Sequence, residues 1–303
     1  MALTPSHPFA SRLSFFTGKG GVGKSTVVAA LAVEAQRRGM RPLVVELGHR
    51  ASMQAVFDVP HIGHAPVEVV EGVHATNVEL DRALDDYVRR NVPVRALGDR
   101  IARSESLHRF FAAAPAVGEV LTLLRLEQLL EHEWSPILVD LDATGHALMF
   151  LGLPSVFDGL VPDGPVRRLL DGFSSLLRDG ERSQLHLVTL PSPLPVQETL
   201  ELHATLEAEH PIRLGTLFVN RVHPPPLDAA HLAQLPSVVA TEAAAEDLAL
   251  LRAACERDVE TTRQLARLDA IPMRQVRLPL DPPRRDRATL GRLGRLAALE
   301  DAP

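Results

Sequence analysis

The sequence predicts an α/β fold built on a mostly parallel, doubly wound sheet. Short apolar runs bounded by turn residues alternate with longer amphipathic stretches, which is the pattern of parallel strands joined by crossover helices. A glycine-rich loop also follows the first apolar run directly and precedes a helical pattern. The predicted strands are Leu13 to Thr17, Leu43 to Leu47, Val73 to Glu79, Ile137 to Leu141, Leu185 to Leu190, Leu214 to Asn220 and Gln275 to Leu280.

Three helices are indicated by their end signals. The first begins at the glycine-rich loop and is predicted to end near Arg38, because basic residues suit a helix C-terminus and Gly39 supplies a cap. Residues 197–209 and 242–268 each carry a helical pattern that stops just before a proline. We therefore expect helices between consecutive strands on both faces of the sheet.

Two stretches interrupt the alternation of strands and helices. Residues 82–133 and 155–182 are helical in pattern with no convincing strand, so we expect a helical subdomain beside the sheet within one domain spanning 1–303. The second stretch contains an amphipathic segment, 166–177. Its apolar face either lines a surface for a client protein or closes onto the core, and core packing is favoured.

Composition excludes several classes of protein. A net charge of −6 gives no basic surface of the kind that binds nucleic acid, so no nucleic-acid partner is expected. The single cysteine, Cys255, excludes an internal disulfide and fits a reducing cytoplasm. No secretory leader or run of about 18 apolar residues occurs, so we predict a cytoplasmic chain without an integral membrane segment.

The glycine-rich loop matches the P-loop pattern, Gly-x4-Gly-Lys-Ser, in the required strand–loop–helix context. Its backbone N–H groups and the helix N-terminus suit phosphate, while Lys24 is predicted to reach the β- and γ-phosphates and Ser25 to bind Mg²⁺. The cofactors predicted are therefore ATP and Mg²⁺. The predicted nucleotide-binding residues in this loop are Gly18, Lys19, Gly20, Gly21, Val22, Gly23, Lys24, Ser25 and Thr26.

The chain has only two lysines among its 32 basic residues, and both lie in this loop. The additional one, Lys19, gives the deviant P-loop form Lys-Gly-Gly-x-Gly-Lys-Ser/Thr, found in a class of dimeric ATPases. The chain most resembles the ArsA-like family, which includes the arsenite-pump ATPase and the ATPase that targets tail-anchored membrane proteins. In this class the first lysine reaches the partner's nucleotide, so the resemblance implies a dimer and a catalytic role for Lys19 beside Lys24.

Three further segments carry the resemblance. Asp140-Leu-Asp-Ala-Thr-Gly-His146 is similar to the family's Asp-Thr-Ala-Pro-Thr-Gly-His switch, which senses the γ-phosphate; this implies nucleotide contacts from Thr144 and Gly145 and support of Mg²⁺ by Asp140. Glu198 lies in a segment similar to one that contacts nucleotide near the dimer interface. Asn220 ends a strand similar to one whose asparagine reads adenine. For these last two residues, a helix start and a strand end are the structural alternatives.

One expected residue is absent. The family's Asp-Pro-Ala-His segment carries the aspartate that orients the attacking water, and Gly48 occupies that position here. Two carboxylates are candidate replacements, Glu46 and Asp142, although Glu46 also has the alternatives of binding Mg²⁺ through water or facing a neighbouring loop.

Three functions follow as hypotheses. The first is a dimeric ATPase switch that couples its nucleotide state to a hydrophobic client or partner protein. The second is a hydrolysis-deficient, nucleotide-locked regulator, which could pair with a paralogue that supplies the missing aspartate. The third is a positioning ATPase of the ParA or MinD type, for which residues 288–299 would be a membrane-binding helix, although their apolar positions suit docking as well as lipid binding. One cysteine cannot supply a thiolate cluster for arsenite.

Overall fold

A computed structural model of the chain describes residues 6–47, 51–91, 117–141, 144–158, 163–224, 243–280 and 286–299. Within them, a sheet is covered by helices on both faces. The strands are β1 (Leu13–Thr17), β2 (Leu43–Glu46), β3 (Val67–Val70), β4 (Val73–Asn77), β5 (Ile137–Asp140), β6 (Ser183–Thr189), β7 (Leu214–Val222) and β8 (Arg274–Pro279). The helices are α1 (Lys24–Arg37), α2 (Ser52–Phe57), α3 (Leu80–Asn91), α4 (Val117–Leu130), α5 (Thr144–Val156), α6 (Pro165–Arg178), α7 (Pro193–Glu209), α8 (Ala243–Leu268) and α9 (Arg287–Ala297).

The strand order is β3-β4-β2-β5-β1-β6-β7-β8, and every neighbouring pair except β3–β4 is parallel. The predicted α/β class and doubly wound sheet are therefore confirmed. The prediction of seven strands was wrong, because the sheet has eight among the described residues. The missed strand, β3, is a four-residue antiparallel edge strand that is only half buried, so its pattern lacks the continuous apolar run of the inner strands.

The predicted helix ends agree with the structure. Helix α1 ends at Arg37, and Gly39 follows with a φ of 79°, the left-handed conformation that a C-terminal glycine provides. Helix α8 ends at Leu268, as predicted. Helix α7 begins at Pro193, four residues before the predicted start, since proline is tolerated in the first helical turn where no backbone N–H is needed.

The C-terminal helix α9 packs closely against α1. A Cβ added to Gly294 would lie 2.1 Å from the carbonyl oxygen of Ala30, so the two backbones touch at this point. The apolar side chains of α9, Leu290, Leu293 and Ala297, are buried in that contact. The apolar face of this helix is therefore used inside the protein, which removes the feature that favoured a MinD-like membrane helix. No described helix is both long and apolar enough to cross a bilayer.

The amphipathic segment within 155–182 forms α6, and its apolar face packs onto the core as favoured. Phe173 contacts Phe15 and Phe150, with ring centroids 6.5 and 5.4 Å apart. Leu169, Leu170, Leu176 and Leu177 are buried with it. A separate helical subdomain stays a prediction, since residues 92–116 and 159–162 lie outside the described residues.

Candidate phosphate-binding site

The glycine-rich loop runs from the end of β1 to the start of α1 and is pressed against two neighbouring strands. Gly18, with a φ of 151°, lies so close to β6 that an added Cβ would be 2.0 Å from the carbonyl oxygen of Val188. Gly23, with a φ of 93°, leaves room for the Asn220 amide, which an added Cβ would meet at 2.3 Å. The backbone contact explains why glycine is needed at position 18, and the left-handed φ explains why it is favoured at position 23.

The Lys24 side chain folds back over its own loop. Its Nζ donates to the carbonyl oxygens of Gly18 at 3.0 Å and Lys19 at 3.3 Å, and the residue is buried. Lys24 is also the first residue of α1, whose positive end faces the loop. The ammonium group is thus held where a phosphate tail on the loop would meet it, with Thr26 in the same helical turn.

Ser25 and Asp140 meet at the ends of α1 and β5. The Ser25 hydroxyl donates to Oδ2 of Asp140 at 2.6 Å, and Asp140 is 5% exposed. A hydroxyl and a carboxylate oxygen are the hard donors that Mg²⁺ prefers. The two residues named as metal ligands from the sequence are therefore adjacent, and their chemistry fits the ion.

Glu46 is buried at the end of β2, directly beside Asp140 in the strand register. Its Oε1 accepts from the backbone N–H groups of Ser52 at 2.7 Å and Met53 at 3.2 Å, which anchors the start of α2. Burial raises the pKa of the Glu46 carboxyl to about 7, and the neighbouring Asp140 adds to the rise although the two backbone N–H groups oppose it.

Asp142 lies outside the described residues, as does Gly48 at the position of the expected aspartate. Glu46 differs from a typical water-orienting carboxylate because it is 2% exposed and one of its oxygens is already engaged by backbone. Its catalytic role stays a prediction.

Lys19 forms an ion pair within its own chain. Its Nζ lies 2.5 Å from Oε1 of Glu198 on α7, and about a third of each side chain is exposed. The pair borders an open cavity of about 520 Å³ in front of the loop. Thr144 and Gly145, at the start of α5, line the same cavity, as does Gly20, so five of the predicted nucleotide contacts share one space.

Asn220, near the end of β7, contacts the glycine-rich loop. Its Nδ2 donates to the carbonyl oxygen of Val22 at 2.9 Å, and its Oδ1 accepts from the backbone N–H of Arg221 at 2.9 Å. Asn220 is buried, so these contacts favour the strand-end alternative, and reading of adenine stays a prediction.

The sequence analysis missed part of this cavity. Glu201, Leu202 and Thr205 line it from α7, and Leu148 lines it from α5. The signal was available in principle: positions 201, 202 and 205 follow Glu198 at helical spacing and share its face of the helix.

Comparison with known proteins agrees with this site. A sequence profile described as anion-transporting ATPase matches residues 11–163, which include the loop and the Asp140 segment. The chain is 31% identical over 242 residues to "ATPase BagA" of Mycobacterium tuberculosis, covering 76% of this chain and 71% of that protein. It is 30% identical over 235 residues to an arsenical pump-driving ATPase of Acidiphilium multivorum, covering 69% of this chain and 39% of that protein.

Proposed function

The chain belongs to the family of anion-transporting ATPases, and on that premise we propose that it is a Mg²⁺-dependent ATPase working as a nucleotide-controlled dimer. The observation that carries this proposal is the P-loop itself, with Lys24 held over the phosphate position and Ser25 bonded to Asp140. The positive end of α1, where Lys24, Ser25 and Thr26 are consecutive, also supports binding of a phosphate tail.

The residues of the site would have different roles in phosphoryl transfer. Lys24 would exchange its two carbonyl partners for the β- and γ-phosphates, which carry more charge than a carbonyl and bind the ammonium more strongly. When bound at Ser25 and Asp140, Mg²⁺ supplies neutralisation of the phosphate charge. Thr144 and Gly145, which begin α5 and line the cavity, would respond to the γ-phosphate.

Replacement of Lys24 by alanine should lower ATP turnover by at least about 100-fold, because a preorganised charge is lost from the transition state. Turnover by the purified protein with Mg²⁺ is compared with Lys24→Ala and with Asp142→Asn. Arg252→Ala, which removes an exposed cation on α8, is the matched control and should retain wild-type turnover. Turnover in Lys24→Ala equal to that of the wild type would contradict the proposal.

The dimer is proposed from Lys19. Its ion pair with Glu198 is partly exposed, and such pairs contribute at most about 1 kcal/mol, so Lys19 can leave it at little cost. Its position at the edge of the open cavity supports a reach toward a partner subunit. The pairing within the chain would then belong to the free subunit.

We expect the mass in solution to double when ATP and Mg²⁺ are added, and Lys19→Ala to prevent the doubling. Sedimentation or mass photometry measures this directly, with Arg252→Ala again as the control for loss of one cation. A monomer under all conditions would remove the role proposed for Lys19.

A second candidate is a nucleotide-locked regulator that pairs with a paralogue. It is favoured by Gly48, which leaves the expected water-orienting position without a carboxylate. The turnover measurement separates the two: bound ATP with background hydrolysis supports the regulator, and hydrolysis restored by a second subunit supports a heterodimer. Turnover by the isolated chain that is lost in Asp142→Asn supports the first proposal.

A route from the nucleotide to a client or partner protein is supported by an apolar cavity of about 300 Å³. Leu47 and Leu141, which line it, directly follow Glu46 and Asp140, so movement at those strand ends would reach the cavity. Leu80 and Phe150 line it from α3 and α5. We propose that the nucleotide state is transmitted to the helices on this side of the sheet.

A further inference from the structure

Glu46 places a second carboxylate beside the one that the motif provides. Strands β2 and β5 are parallel neighbours, and Glu46 and Asp140 are direct partners in their register. Glu46 comes two residues after Val44, and Asp140 comes two residues after Leu138. Val44 and Leu138 both belong to the hydrophobic cluster beneath α1. Because side chains two apart share a face of a strand, both carboxylates lie on the face that carries α1 and Ser25.

The two oxygens of Glu46 have different surroundings. Oε1 accepts from the two backbone N–H groups at the start of α2, whereas Oε2 is fully buried and has no hydrogen-bond partner among the described residues. A buried carboxylate oxygen without a donor is costly, and a second carboxylate alongside increases that cost. A divalent cation would offset both the cost of burying Oε2 and the repulsion between the two carboxylates.

We propose that Glu46 acts with Asp140 and Ser25 as a second carboxylate of the divalent-cation site, directly or through a bound water. This inference rests on the proposed function, since the cation is the one that accompanies ATP. It assigns Glu46 to the metal and not to the attacking water. It also gives the segment after β2 a link to the cation, because the same carboxylate holds the start of α2.

Mn²⁺ is the probe, since its binding is measured by loss of the free-ion electron paramagnetic resonance signal. With ATP present, Glu46→Gln should bind Mn²⁺ about 10-fold or more weakly than the wild type. The glutamine oxygen can still accept from Ser52 and Met53, so α2 keeps its anchor. Asp140→Asn should weaken binding as well, while Glu256→Gln, which removes an exposed carboxylate on α8, should leave it unchanged.

A second readout needs no nucleotide. Mn²⁺ should raise the unfolding temperature of the wild-type protein and raise that of Glu46→Gln less, because at a fixed ligand concentration a tighter ligand stabilises the folded state more. Wild-type Mn²⁺ affinity in Glu46→Gln, together with weak binding in Asp140→Asn, would overturn the inference. ATP binding by the wild type in the presence of Mg²⁺ is measured alongside, and its absence would instead count against the proposed function.

Discussion

Gly18→Ala should destabilise the nucleotide-free protein by about 3 kcal/mol and abolish detectable nucleotide binding. The added methyl group would lie 2.0 Å from the carbonyl oxygen of Val188, and the obstacle is backbone in the buried strand β6, which cannot rotate away. Overpacking of this kind costs about 1 to 3 kcal/mol. In addition, a φ of 151° is a backbone conformation that residues with a Cβ avoid, so alanine at this position would be strained.

The matched control for this substitution is Gly20→Ala, two residues along the same loop. An added Cβ at Gly20 meets nothing within 4 Å, so unfolding by urea without nucleotide should change by less than about 0.5 kcal/mol. The comparison separates a general loss of loop flexibility from the specific contact with Val188. Equal unfolding free energies for the two variants would contradict the close approach between the loop and β6.

The inner sheet could be predicted because its strands β1, β2, β5 and β6 are buried on both faces. Strand β1 is an unbroken buried run between polar residues, and its predicted bounds, Leu13 to Thr17, agree with the structure. Strand β6 begins two residues before its predicted start, because Ser183 and Gln184 are buried polar residues that the apolar pattern does not include. Ser183 is satisfied by the Leu176 carbonyl, a contact that only the folded chain provides.

In the candidate site, too, the local part could be predicted from the sequence, and the contacts between distant residues could not. The P-loop is local: its glycines, Lys24 and Ser25 are consecutive, so the motif predicts their arrangement directly. The partner of Lys19 is not local, since Glu198 is 179 residues away and reaches it only through the strand order around β1. The family resemblance predicted that Lys19 contacts a second subunit. No pattern within the sequence indicates its ion pair with Glu198 inside the chain.

Asn220 shows a related limit. The strand was predicted to end at Asn220 and ends two residues later, at Val222; Asn220 does reach the glycine-rich loop. Its two contacts, with Val22 and Arg221, depend on β7 lying next to β6, which a motif does not specify. Glu46 shows the same limit, because the role proposed for it depends on its register partner, Asp140, which lies 94 positions further along the chain.

The second large effect concerns a buried histidine outside the motif, on the strand next to β1. His186 lies on β6, fully buried, with its ring stacked on Phe16 at a centroid distance of 4.8 Å. Its Nδ1 accepts from the backbone N–H of Thr216 at 2.9 Å. Burial lowers the pKa of the His186 imidazole to about 3, with help from His7 and Arg274 nearby.

The sign of the pH effect follows from this lowered pKa. The unfolded chain binds a proton at His186 below about pH 6.5, whereas the folded chain resists it down to about pH 3. The stability due to neutral His186 is therefore fully present above about pH 6.5 and is lost as the pH falls toward 3. The total loss is of the order of 5 kcal/mol, and about 2.5 kcal/mol of it falls between pH 7 and pH 4.5.

His186→Asn removes the titration but keeps an acceptor for the Thr216 N–H, because the asparagine oxygen can occupy the position of Nδ1. The variant should be less stable than the wild type at pH 7, since the stacking on Phe16 is lost, but its unfolding free energy should fall by about 2.5 kcal/mol less on going to pH 4.5. Urea unfolding at the two pH values measures this difference. His132→Asn, which removes an exposed imidazole, should follow the wild type; parallel losses in all three proteins would show that His186 does not resist protonation in the fold.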